Sequence, residues 1–123
     1  MVQSDSGDDF GRRHVLKQLH ASPNAANEMA ALGRLVKIAR SDTGQSRKVA
    51  DFLLAWWNAA DCGGFDLFHL CNVDTEIADD MLAVCRIIQR THCYPDTLGF
   101  RADFEQMVAD WRPHLVQGQE PTA

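Results

Sequence analysis

A chain of 123 residues with a formal net charge of −5 fits one domain and is long enough to bury about two thirds of its unfolded surface in a single core. The acidic total excludes wholesale non-specific attachment to nucleic acid, and no apolar run is long enough to span a membrane. That total conceals an asymmetry: residues 10–50 carry eight Lys and Arg against Glu28 and Asp42, a net of plus 6, while residues from Asp51 onward carry four against twelve acids, a net of minus 8. A basic half of this size can meet phosphate locally, and the same pattern also suits a solvated surface.

Residues 1–9 and 116–123 are polar and short of apolar side chains, which predicts disordered tails around a helical domain at 10–115. The opening has neither the basic start nor the apolar run of a secretory signal, so a cytoplasmic setting with reduced thiols is expected. Phe10, Val15, Leu16 and Leu19 stand among basic residues and predict a short amphipathic helix over 10–19, weakened by Gly11. Ser22 and Pro23 read as the N-cap and first-turn proline of a second helix. Met29, Leu32, Leu35, Val36 and Ala39 follow at helical spacing to about Arg40, with Arg34, Lys37 and Ser41 on the opposite face.

A turn at 41–45 comes next, and Thr43 or Ser46 is placed to cap a third helix with its body at 49–60, ended by Gly63 and Gly64. Residues 66–71 read equally as a helical turn or an extended linker. Asp74 and Thr75 offer another cap, and Ile77, Met81, Val84, Cys85 and Ile88 make an apolar stripe. Glu76, Asp79 and Asp80 at the start of that helix and Arg86, Arg90 and His92 at its end complement its dipole. Tyr94-Pro95-Asp96 breaks it, and a last helix carries Phe100, Phe104, Met107, Val108 and Trp111 up to Arg112-Pro113. No segment has strand period and none repeats. The expected architecture is an all-α, single-domain bundle of about four or five helices with short loops.

Trp56 and Trp57 stand side by side on the third helix. Neighbours on a helix point about 100° apart, so both cannot occupy the centre of one narrow buried stripe. Either that helix is buried on most sides, or one indole anchors a protein interface. Around Gly44, Ser46, Arg47 and Lys48 the free amides of a helix start lie beside two cations, a geometry that suits an anion as well as it suits a solvated loop. The GxxxxGK[ST] pattern of a nucleotide-phosphate loop is absent.

Cys62, His69, Cys71, His92 and Cys93 are the residue types that zinc prefers, but they lack the short paired spacing of a structural site, and no metal or other cofactor is expected. Asp51, Asp61, Asp66, Asp79 and Asp80, with His69 or His92, supply acid and base groups without a motif such as HExxH or GxSxG to fix them. No catalytic residue is assigned.

The words DTGQSRKVADFLLAWWNA at 42–59, CGGFD at 62–66, YPD at 94–96 and WRP at 111–113 are similar to those of an uncharacterised family of short proteobacterial proteins associated with plasmids and integrative conjugative elements. The similarity runs from about Leu35 to about Leu115. It implies a bacterial cytoplasm and a mobile-element setting, and supplies no activity, cofactor or catalytic residue. The resulting expectation is a non-enzymatic helical protein, an accessory or regulatory factor, that binds an unidentified protein or itself through Trp56 or Trp57. The alternative is a DNA-associated factor that sets Arg34, Lys37, Arg40, Arg47 and Lys48 against phosphates.

Overall fold

In a computed structural model that describes residues 2–117, the chain folds into α1 (Val2–Leu19), α2 (Ala25–Ala39), α3 (Ser46–Cys62), α4 (Thr75–Thr91), α5 (Arg101–Trp111) and α6 (Pro113–Gln117). Two 3₁₀ turns, Leu67–Cys71 and Pro95–Leu98, interrupt the connections, and no strand occurs among the described residues. The all-α single domain is as expected, with α6 as an added single turn. Helical backbone in α1 starts at Val2, ahead of the start near Phe10 that the apolar spacing suggests. Residues 118–123, most of the expected C-terminal tail, lie outside the described residues.

Helix α2 packs against both α3 and α4, α3 packs against α5, and α1 packs against α4. The core they share is aliphatic at its centre, with Leu32, Leu35, Leu53, Leu54, Met81, Val84 and Ile87 fully buried beside Phe104 and Met107. Each such side chain contributes about 1.5–3 kcal/mol by leaving water. The stripe of α4 differs from its sequence reading, since Ile87 is buried, Ile88 is half-buried and Cys85 faces outward. Neighbours on two sides, α1 and α2, turn α4 so that Ile87 faces the core.

Local chemistry also shifts two helix starts. Ser22 Oγ accepts from the Asn24 amide at 3.1 Å, so Ser22 and Pro23 form a turn and α2 begins at Ala25. Ser46 is the first residue of α3, not its cap. Its buried hydroxyl accepts from the Thr43 amide at 2.9 Å and lies 2.8 Å from Thr43 Oγ1, closing the loop upon itself. Near the end of α3 the backbone leaves the helix at Asn58 (φ −166°, ψ 83°), whose side chain accepts from the Asp61 amide and donates to the Asp61 carboxylate. Asparagine is a favoured cap, and here it starts a fresh final turn immediately after the tryptophans. Gly63, at φ 95°, then ends the helix in a conformation that side chains resist.

The charge asymmetry of the sequence is partly used inside the fold. Arg34 on α2 makes a two-pronged pair with Asp80 on α4 at 2.9 Å, and Arg40 meets Asp103 on α5 at 2.7 Å. Arg90 on α4 pairs with buried Glu28 and donates to the carbonyls of Gln18 and Leu19, tying the end of α1 to α2 and α4. Arg112 donates to Asp51 at 2.7 Å and to the carbonyl of Cys62 at 2.8 Å, holding the first half of α3 and its end against the α5–α6 junction.

Candidate protein-binding site

The chain between α3 and α4 forms a fixed apolar knuckle. Gly63 turns the backbone, Phe65 folds inward with its ring edge-on to Phe52 at 5.3 Å, and His69 stands edge-on to Phe65 at 6.0 Å. Asp66 caps the 3₁₀ turn by accepting from the Phe68 amide at 3.0 Å, and the Asn72 amide closes it on the His69 carbonyl. Leu70 and Val73 pack against the core. The far end is tied by Gln45, which donates to the Asp74 carboxylate at 3.0 Å and accepts from the Asp74 amide at 2.6 Å.

With Phe65, Leu70 and Val73 turned in, Leu67 and Phe68 are turned out, 73% and 70% exposed. Two adjacent large apolar side chains held on the surface by a capped, anchored turn forgo about 1.5–3 kcal/mol each of burial. Such a surface loses little ordering entropy when it docks. Its surroundings are acidic: Asp61, Asp66, Asp74 and Glu76 are exposed, and no Lys or Arg occurs from Asp51 to Cys85.

Both tryptophans are half-buried and face the same residue. Trp57 stacks on Phe104 at 5.6 Å, Trp56 meets that ring edge-on at 6.1 Å, and Trp56 Nε1 donates to the Cys93 carbonyl at 2.9 Å. The geometric conflict of adjacent indoles is thus resolved by a third ring inserted from α5. Neither indole is as exposed, as a fraction of its own surface, as Leu67 or Phe68.

The basic residues singled out from the sequence separate into two groups. Arg34 and Arg40 are held by Asp80 and Asp103, and the Asp80 contact is the main reason the Arg34 guanidinium clings to its proton even more tightly than usual. Gly44, Lys37 and Arg47 are exposed and Lys48 is half-buried, while the Ser46 hydroxyl is committed to Thr43. Of the five cations, Arg34 and Arg40 are therefore engaged by carboxylates of this chain rather than free for phosphate.

A cleft of about 580 Å³ opens beside His92, lined by Arg12, Cys93, Tyr94, Asp96 and Thr97. His92 sits there as the left-handed C-cap of α4, φ 55°. Burial pushes the Cys93 thiol above its ordinary range, with a 3.2 Å contact to Thr91 Oγ1 pulling the other way, so it is a protonated thiol rather than a ready nucleophile. Among the described residues no three His, Cys, Asp or Glu side chains converge as a metal site. No helix among them is long and apolar enough to cross a membrane.

Leu67 and Phe68 escaped the sequence reading because a five-residue turn is too short to show a period. The usable signals were an LFHL run, close after Gly63-Gly64 and too short for a core helix, and the stretch of 51–85 without a Lys or Arg. Residues 29–112, spanning α2 to α5 and the knuckle, match the family of unknown function DUF7673, and the chain belongs to that family. No curated protein and no solved structure matches it.

Proposed function

We propose that this member of DUF7673 is a helical binding protein that engages another protein through the Leu67–Phe68 knuckle, with no chemistry of its own. The observation that carries the reading is the exposure of those two side chains on a turn fixed by Asp66, Phe65 and the Gln45–Asp74 pair. Apolar residues that are both exposed and preorganised are the features that binding surfaces have and solvated loops lack. Trp56 and Trp57, both turned to Phe104, fix α3 against α5 in this reading rather than acting as the anchor. The similarity to short proteins of plasmids and integrative conjugative elements supports an accessory or regulatory role in a bacterial cytoplasm.

Phosphate binding by the basic half is the weaker reading, because Arg34 and Arg40 already hold carboxylates. Capture from a lysate of the native host tests the proposal, with wild type beside Leu67→Ser/Phe68→Ser. The double variant is expected to melt like wild type by circular dichroism and to lose captured proteins that wild type retains. Equal capture by both overturns the reading.

A further inference from the structure

Resting on the reading of the knuckle as a binding surface, we propose that its partner is a basic protein segment whose apolar face is flanked by Lys or Arg. Elsewhere in the fold, carboxylates are neutralised from within: Glu28, Asp51, Asp80 and Asp103 each hold an arginine from another element, and Glu105 holds Arg101 one helical turn away. The carboxylates at the knuckle are not. Asp66 accepts from the Phe68 amide, Asp61 from the Asn58 side chain and Asp74 from that of Gln45, all neutral donors. Such bonds hold a carboxylate in place and leave its charge. Among the described residues none of the three has a Lys or Arg within 4.0 Å, and the basic group nearest that limit is the His69 imidazole, 4.0 Å from Asp66.

All three are exposed, and they stand where the chain leaves α3, at the cap of the 3₁₀ turn and at the entry to α4. No Lys or Arg from Asp51 to Cys85 offsets them. Leu67 and Phe68 therefore project from a turn with uncompensated negative charge on both of its stems. The apolar tip favours any apolar surface, and the charge selects among them. A partner with carboxylates beside its apolar contact brings like charges together, whereas one with Lys or Arg there gains attraction and a faster encounter. Lys and Arg can lay their apolar stems along Leu67 while the charged head reaches Asp66, and the exposed Phe68 ring offers a face on which a cation can rest. The same carboxylates disfavour nucleic acid and anionic lipid. Tip and flanks all lie within residues 29–112, the part shared with the family.

The probe is a helical peptide with a leucine stripe flanked by lysines, beside a counterpart with glutamate at every lysine position. Each is titrated into the isotope-labelled full chain and followed by amide chemical shifts. Binding is expected from the lysine peptide alone, with shifts centred on residues 65–71, and its affinity is expected to fall about tenfold between about 20 mM and about 200 mM NaCl. Leu67→Ser/Phe68→Ser is expected to abolish those shifts at either salt. Asp61→Asn/Asp66→Asn/Asp74→Asn keeps an acceptor oxygen at each position, so it is expected to melt like wild type and to bind the lysine peptide about tenfold more weakly. Should that variant not fold, the salt series on wild type carries the same test.

Equal response to the two peptides, shifts that lie away from the knuckle and persist in Leu67→Ser/Phe68→Ser, an affinity indifferent to salt, or no binding at all overturns the inference. Growth in mass of the chain alone that Leu67→Ser/Phe68→Ser abolishes assigns the knuckle to a second copy and overturns it too. If the lysine peptide gives no response while lysate capture still depends on Leu67 and Phe68, the basic partner falls and the binding surface stands.

Discussion

Arg112 closes the fold at the level of one side chain. Its guanidinium holds the Asp51 carboxylate in the first half of α3 and the Cys62 carbonyl at its end, so the kinked helix is fixed on both sides of the Asn58 break by one residue. The same neighbourhood sets a pH dependence. Burial pushes the Cys62 thiol up, while Arg112 draws it part of the way back; burial likewise raises the Cys93 thiol. The native chain therefore keeps thiol protons that the unfolded chain has released. This contribution to stability is complete below the ordinary thiol range and is lost as pH climbs through the raised native values. Urea unfolding between about pH 8 and about pH 10 should show declining stability, and Cys62→Ala should make the decline shallower. A profile that is flat, or equally steep in the variant, contradicts this account.

The junction of α3 with α5 shows which parts of an element can be read from sequence. Helical spacing placed α2, α3, α4 and α5 because one buried face recurs every 3.6 residues whatever covers it. What covers it is a different matter. Phe104 lies 47 positions beyond Trp57, and no local pattern couples them, so whether the adjacent indoles shared one buried surface could not be decided before the fold was in hand. Helix starts shifted for the same kind of reason, since Ser22 and Ser46 have more than one hydrogen-bonding outcome of similar energy and packing selects one. Phe104 is the core of the junction, and Phe104→Ala should cost about 3–5 kcal/mol in urea unfolding. Leu67→Ser/Phe68→Ser, on a surface that contacts nothing in the monomer core, should change stability by only about 0.5 kcal/mol. A cost for the knuckle variant comparable to that of Phe104→Ala would mean that the turn is a structural plug.

Across the whole molecule, charge separated along the sequence is brought together in space. Arg34–Asp80, Arg40–Asp103, Glu28–Arg90 and Asp51–Arg112 each join elements far apart in the chain, so much of what looks like a dipolar molecule on paper is neutralised between helices. What is left over is local. An acidic stretch surrounds the knuckle, and cations such as Lys37 and Arg47 stay exposed elsewhere. Interactions of these residual charges are screened by salt, whereas the apolar contact of Leu67 and Phe68 is not, so the two terms are separable in any association the chain makes.

The most direct measurement is site-specific photo-crosslinking in the native host, with a photoreactive residue at position 68 and, as the control, at the exposed position 114. A crosslinked species is expected from position 68 that position 114 does not give, at a mass above the 13.7 kDa of the free chain. Free chain alone from position 68, or the same products from both positions, would contradict it.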